Sequence, residues 1–233
     1  MPSPRPQPDP DPSSPDPGLS APPPEQGWIA PDVAEEHPGL ELLTWSSTTT
    51  WTSRSRPWAR EWLARLSTRI DGPAVLNAFR DDAPAAHRVF WGRIGRDATK
   101  DRAPQEAAFY DRIAHGGFPA RDPLQDLLLV VLLETGVPIW ALDGDRVSGD
   151  LGIRRSLTGE LVGPGVAPPT RPEPVVVDRE GVVAEIGREP REPFRATHRS
   201  ARTTFFCARV PGLPDLRVHE AVWLCRSLEG RSD

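Results

Sequence analysis

The sequence predicts an α+β protein, because helices with clear boundaries are mixed irregularly with short apolar strands. Three observations carry this prediction: a strongly apolar helix with capping residues at both ends, two valine-rich strands joined by a tight turn, and the lack of a regular strand-helix alternation. With 233 residues, the chain is long enough to bury a core without disulfides or metals.

Residues 1–26 are predicted to form a disordered tail. They contain 11 of the 29 prolines, and Leu19 is their only large aliphatic side chain. Such a segment buries too little apolar surface to offset the entropy lost on ordering. Residues 27–233 are therefore expected to form a single domain.

One strand and three helices are predicted in the first half of this domain. Proline begins all three helices, and glycine directly follows two of them. In the first helix, Trp58 and Trp62 share a four-residue spacing with Leu66 and Ile70, which predicts that the tryptophans belong to the core. The predicted spans are 40–45 for the strand and 57–70, 84–94 and 104–115 for the helices.

The clearest predicted element is the next helix. Asp122 is suited to the N-cap and Pro123 to the first helical position, and Gly136 ends the helix. Because Leu127 to Leu133 is apolar on nearly every side, this helix is expected to be central. Four further predictions follow it along the chain: strands 137–142 and 151–153 around an Asp-Gly-Asp turn, a hairpin of 175–177 and 182–184, a strand at 205–210, and a helix at 216–228.

Composition and motifs exclude several classes of function. The longest apolar run has seven residues, far fewer than a bilayer span requires, and no secretory signal is readable, so a cytoplasmic protein is expected. The net charge of −5 disfavours general polyanion binding, and no DNA partner is expected. No phosphate loop, metal-ligand spacing or serine elbow is found, so neither a cofactor nor a metal is predicted.

Asp126 is a candidate for more than a structural role, since it lies on the first turn of an otherwise apolar helix. Stabilisation by the helix dipole is worth only about 0.3–1 kcal/mol there. A buried arginine partner, Arg102 or Arg154, is therefore expected.

A basic stretch near the C-terminus is a candidate for binding nucleic acid. Arginines that pair with phosphates beside rings that stack on bases are typical of single-stranded RNA recognition. A solvated arginine-rich loop is the alternative interpretation. The candidate RNA-binding residues are Arg191, Arg195, Arg199 and Arg202, with Phe194, His198, Phe205 and Phe206 interleaved.

Several short motifs in the middle of the chain recur together in one known family. They are Arg102-Ala103-Pro104, Gly116-Gly117-Phe118-Pro119, the run from Arg121 to Asp126, the run from Leu133 to Pro138, Asp143, and Gly149-Asp150-Leu151. This pattern resembles the B3/B4 domain of the bacterial phenylalanyl-tRNA synthetase β subunit, which also occurs as free-standing proteins. The resemblance extends more loosely over nearly everything after the tail. It implies a β-sandwich core flanked by helices and a family role in hydrolysing mischarged tyrosine from tRNA.

The resemblance also implies where a substrate pocket lies. In the synthetase domain, a Thr-Asn pair on the central helix and a histidine on the next strand belong to the editing site. This chain has Leu128, Leu129 and Trp140 at those positions. The candidate pocket residues are these three with Asp126 and Arg102, and no catalytic residue is assigned.

Two functions follow from the resemblance. The first is an enzyme, a trans-acting aminoacyl-tRNA deacylase that uses water as the nucleophile. The second is a non-catalytic module that binds RNA or an amino-acid-like ligand, which the loss of the three polar groups favours. In either case the expected partner is tRNA or aminoacyl-tRNA.

Overall fold

The computed structural model describes residues 23–73, 75, 80–160 and 171–231. Within these ranges it contains eight strands and six helices, which confirms the α+β class. The helices are α1 (Pro31–Glu36), α2 (Pro57–Arg69), α3 (Asp82–Arg93), α4 (Pro104–His115), α5 (Pro123–Thr135) and α6 (Asp215–Leu228). The strands are β1 (Glu25–Gln26), β2 (Trp28–Ile29), β3 (Glu41–Ser47), β4 (Trp140–Asp143), β5 (Gly152–Arg155), β6 (Pro174–Val177), β7 (Val182–Glu185) and β8 (Thr203–Arg209).

The strands form two four-stranded sheets. The first has the order β1-β3-β8-β4 and is antiparallel throughout. The second has the order β2-β5-β6-β7, with a parallel pair between β2 and β5 and the predicted hairpin between β6 and β7. Buried side chains from both sheets belong to one hydrophobic core.

The centre of the first sheet is buried on both faces. Phe205 and Phe206 are consecutive in β8, so their side chains point to opposite faces of the sheet. Both are 0% exposed. Phe205 lies opposite Trp45 of β3 and stacks on its ring, with 5.3 Å between ring centroids.

Helix α5 forms as the sequence predicts and packs against α2 and α6. The Asp122 carboxylate accepts hydrogen bonds from the backbone N–H groups of Leu124 and Gln125, both at 3.1 Å. At the other end, Gly136 adopts a left-handed conformation with φ 76°. A Cβ at Gly136 would come within 2.8 Å of the Ala83 Cβ, so this position requires glycine for both conformation and space.

The structure differs from the sequence-based expectations at the end of the predicted tail. Glu25 and Gln26, the last two residues assigned to the tail, pair with β3 as β1, whereas residues 1–22 lie outside the described residues. The strands predicted around the Asp-Gly-Asp turn do not pair with each other, because β4 belongs to the first sheet and β5 to the second. Among the described residues, no helix is both long enough and apolar enough to span a bilayer.

Candidate functional site

A pocket of about 440 Å³ opens between α4, α5 and β4, and we call it the α5 pocket. Its walls are mainly apolar, with polar side chains from the two loops that border it. The α5 residues that line it are Gln125, Asp126, Leu128, Leu129 and Leu132; α4 contributes Ala107, Ala108 and Asp111; the strand region contributes 138–141; and the loops contribute 118, 119, 121, 189, 190 and 195.

Helical geometry explains why α5 presents these residues together. Positions 125, 128, 129 and 132 are separated by three or four residues, so they share one face of the helix. The other faces of α5 carry fully buried side chains, among them Leu124, Leu127 and Val131. Trp140 closes the pocket from the first residue of β4. Four of the five residues predicted for the pocket, Asp126, Leu128, Leu129 and Trp140, therefore line one cavity.

Asp126 places a buried carboxylate at the wall of this pocket. The residue is 1% exposed, and its Oδ1 accepts a hydrogen bond of 2.7 Å from the Arg121 backbone N–H. Its Oδ2 has no well-formed hydrogen bond to any described residue. Burial raises the pKa of the Asp126 carboxyl, and the nearby Ser55 hydroxyl and the Arg121 N–H oppose that rise. A carboxylate with a spare oxygen is suited to bind a cationic group.

Neither arginine proposed as the partner of Asp126 contacts it. Arg102 lies outside the α5 pocket, with its guanidinium 4.0 Å from the Tyr110 ring centroid. Arg154 pairs instead with Glu160 through contacts of 2.9 and 2.6 Å. The carboxylate is held by the backbone at the start of α5 and not by an ion pair.

The arginine-rich stretch is only partly available for binding. Arg195 lines the α5 pocket and pairs with Glu189 at 2.9 Å. Arg202 donates to the Gly144 carbonyl, whereas Arg191 and Arg199 are exposed. Phe205 and Phe206 were expected to stack on bases, but they are fully buried in β8. Of the four interleaved rings, only the half-buried Phe194 and the exposed His198 are therefore accessible there.

Sequence reasoning missed a second concave surface, which involves the two tryptophans of α2. In the predicted stripe, Leu66 and Ile70 are buried, and Ala59 and Leu63 are buried beside it. Trp58 and Trp62 pack against the core but are only half-buried, and they line a groove beside α5. The small Ala59 next to Trp58 is the sequence signal that could have indicated this partial exposure.

The strongest nucleophiles of the chain are not activated. Cys207 and Cys225 are both 0% exposed, and burial raises the pKa of the Cys207 thiol to about 12 and that of the Cys225 thiol as well. A thiolate is therefore disfavoured at both positions. No group of three or more metal-ligating side chains occurs among the residues that the structure describes.

Comparison with known proteins gives one partial similarity. No family model matches the chain. A segment of 83 residues, 35% of the chain, is 37% identical to the phenylalanine–tRNA ligase beta subunit of Methylococcus capsulatus. The match covers 10% of that subunit, so the chain spans only a small part of the relative's length. Over about a third of its sequence, this protein is thus similar to a subunit of a tRNA ligase.

Proposed function

We propose that this protein is a free-standing relative of the synthetase B3/B4 domain and that the α5 pocket receives the amino acid carried by a tRNA. The observation that carries the proposal is an apolar pocket of about 440 Å³ with a buried carboxylate, Asp126, at its wall. The partial similarity to a tRNA ligase subunit supports a tRNA-related function.

The pocket chemistry favours an apolar aminoacyl group. Leu128, Leu129 and Trp140 provide walls that bury an apolar side chain, which is favourable by about 25 cal/mol per Å² of surface removed from water. Asp126 provides the negative charge that attracts the α-ammonium group. An amino acid or aminoacyl ester satisfies both requirements at once.

The first activity to be tested is hydrolysis of the aminoacyl ester. Water attacks the ester carbonyl, the bond between the carbonyl carbon and the ribose oxygen breaks, and the amino acid and the free tRNA hydroxyl are released. Among the residues that the structure describes, no cysteine, histidine, serine or threonine lines the pocket, so we assign the attack to water. The raised pKa of Asp126 makes its carboxylate a stronger base than an exposed aspartate.

The second candidate is binding without catalysis. Leu128, Leu129 and Trp140 replace the polar side chains that the resemblance assigns to the editing site. Leu128 and Leu129 offer no hydrogen bond to orient a water molecule, and the Trp140 indole can only donate one. This observation favours a module that holds the amino acid without cleaving it.

One experiment separates the two candidates. A panel of tRNAs, each charged with a different labelled amino acid, is incubated with the full-length protein, and both ester loss and binding at low salt are measured. Accelerated loss of the ester identifies a deacylase, whereas binding without loss identifies a binding module. If charged tRNAs are neither bound nor deacylated, the proposed function is wrong.

Replacing Asp126 by asparagine should weaken binding of the aminoacyl ligand by about tenfold or more, because a charge-assisted hydrogen bond is lost. The same change should raise the melting temperature at pH 7. The folded-state pKa of Asp126 lies above its unfolded value, so stability is greatest at low pH and falls as pH rises through the interval between the two. Asparagine removes this charge and keeps the oxygen that accepts the Arg121 N–H.

The measurements are a binding titration and thermal melts at pH 7 and at a pH well below 3.8, the ordinary pKa of an aspartate. The gain in melting temperature should disappear at the lower pH, where Asp126 is protonated in both states. Asp122→Asn is the matched control, since asparagine is an equally good N-cap. Loss of stability at pH 7 with unchanged binding would contradict the role assigned to Asp126.

Replacing Trp140 by alanine should shift the selectivity of the pocket toward larger amino acids, because the indole forms part of its wall. The stability cost should be about 1–3 kcal/mol, below the ~3–5 kcal/mol of a fully buried tryptophan, since Trp140 is half-buried. The charged-tRNA panel measures selectivity, and Trp140→Phe should be intermediate. An unchanged order of preference in the folded variant would exclude Trp140 from the specificity of the site.

A further inference from the structure

We propose that the groove beside α2 binds single-stranded RNA, at a surface separate from the α5 pocket. This α2 groove has a volume of about 380 Å³. Its lining residues are Trp58, Glu61, Trp62, Arg65, Leu66, Arg69, Glu134 and Arg231.

The groove and the pocket lie on opposite sides of α5. Glu134 lines the groove, whereas Leu132 lines the pocket. Two residues correspond to a rotation of about 200° around a helix. RNA held in the groove therefore leaves the pocket free for the amino acid.

Two aromatic rings are fixed in the groove. Trp58 and Trp62 are half-buried, with 6.4 Å between their ring centroids and an angle of 74° between their planes. The Trp62 Nε1–H donates a hydrogen bond of 2.7 Å to Glu134, which holds its orientation. The Arg231 guanidinium lies 5.8 Å from the Trp58 ring centroid, so this ring already attracts a planar cation. Rings of this kind stack on unpaired bases.

The charge around the rings is positive, although the whole chain carries −5. Two acidic side chains line the groove, and one of them, Glu134, is already paired with Arg69 at 2.5 Å. Arg65 and Arg231 are exposed and have no acidic partner among the described residues. With Arg69 they give the groove three guanidinium groups against two carboxylates. Phosphates complement this arrangement of guanidinium groups.

The combination of rings and arginines selects RNA over other anionic partners. An acidic peptide would pair with the arginines but would leave the two indoles without a stacking partner. A duplex keeps its bases stacked on one another and out of reach. The stretch from Arg191 to Arg202 is also positively charged, but the phenylalanines of β8 beside it are fully buried and cannot stack on bases. The α2 groove is therefore the better surface for a single strand.

The test uses a fluorescent oligoribonucleotide of about twelve adenosines, a length within the range that single-strand-binding domains cover. Its binding to the full chain is titrated at several salt concentrations. In Arg65→Gln/Arg231→Gln, affinity at low salt should fall about tenfold, and the slope of log affinity against log salt should flatten by about 0.7 for each phosphate that the protein no longer neutralises. Arg217→Gln, an exposed arginine at the far end of α6, is the matched control and should bind as the unmodified protein does.

A second variant tests stacking separately from charge. Trp58→Leu should weaken binding about tenfold with an unchanged salt slope, because stacking releases no counterions. The side chains replaced in the two groove variants are exposed or half-buried, so both variants should fold, and a thermal melt checks this. The probe carries no amino acid, so Asp126→Asn should bind it as the unmodified protein does. A wrong assignment of the α5 pocket would therefore leave this measurement unchanged.

Three outcomes would overturn the proposal. The first is equal binding by the groove variants and the Arg217 control. The second is loss of binding only when Arg191 and Arg199 are neutralised. The third is equal affinity for a duplex of the same length together with no effect of Trp58→Leu.

Discussion

Replacing Arg96 by alanine should lower the free energy of unfolding by about 3–5 kcal/mol, because it leaves the buried Glu173 carboxylate without its cation, whereas Glu185 keeps its ion pair with Arg188. The Arg96 side chain is 6% exposed. Its Nε and Nη2 donate to both oxygens of Glu173 at 2.9 and 2.7 Å, and Nη1 donates to the Ile186 carbonyl at 2.9 Å. Nη2 also lies 3.5 Å from Glu185, whose side chain is 5% exposed.

A shift of the urea midpoint measures this decrease in stability. Arg217→Ala serves as the control, since its exposed pair with Glu220 is expected to contribute less than about 0.5 kcal/mol. The double variant Arg96→Ala/Glu173→Gln should recover part of the stability, because it removes the charge that Arg96→Ala leaves unpaired. A decrease below about 1 kcal/mol for Arg96→Ala would show that water reaches these carboxylates.

Replacing Phe205 by alanine should cost about 3–5 kcal/mol as well, through a different mechanism. Phe205 is 0% exposed, stacks on Trp45 with an interplanar angle of 17°, and meets the edge of Trp51 at 6.4 Å. Alanine leaves a cavity between these two indoles and removes the aromatic contacts. The centre of the first sheet would therefore lose the packing that joins β3 to β8.

Denaturant unfolding followed by tryptophan fluorescence reports this change directly, since two of the affected neighbours are tryptophans. Phe205→Leu should cost less, because leucine fills more of the space. Trp223→Ala removes an aromatic side chain that is 47% exposed and should change stability little. Similar costs for Phe205→Ala and Trp223→Ala would refute the central position of Phe205.

Local signals explain which parts of the fold were predictable. Helix α5 was predicted with nearly its observed bounds because Asp122, Pro123 and Gly136 act on residues within one turn of themselves. The same is true of the hairpin of β6 and β7. Each signal operates over a few residues, where the sequence determines the backbone directly.

Strand pairing over long distances was not predictable in this way. The segments 137–142 and 151–153 were predicted as strands on either side of a turn, but the sequence did not indicate which strands they pair with. Their partners come from other parts of the chain: β4 pairs with β8, and β5 pairs with β2 and β6. A short apolar strand does not encode its neighbour, because many strands of similar composition satisfy its hydrogen bonds.

The candidate site shows the same division between local and distant information. From the family resemblance, Leu128, Leu129, Asp126 and Trp140 were predicted to line one pocket, and they do. The contacts of Asp126 and Arg102 depend on residues from other parts of the fold. The predicted contact between Asp126 and an arginine side chain was wrong, and the contact of Arg102 with Tyr110 was not predicted. Trp58 and Trp62 lie at the edge of the buried face of α2, and four-residue periodicity alone does not show how much of each ring its neighbours cover.

The pairing of β3 with β8 has a consequence for how the protein is made. Glu41 and Arg209, joined by an ion pair at the end of this ladder, are 168 residues apart in the chain. At a synthesis rate of about 5–20 residues per second, β3 waits roughly ten seconds or longer before β8 leaves the ribosome. During this interval Leu42 and Trp45 have no sheet partner on that side, so the nascent chain exposes an apolar strand edge. Chaperone contact and aggregation are expected to compete there, before the first sheet can close.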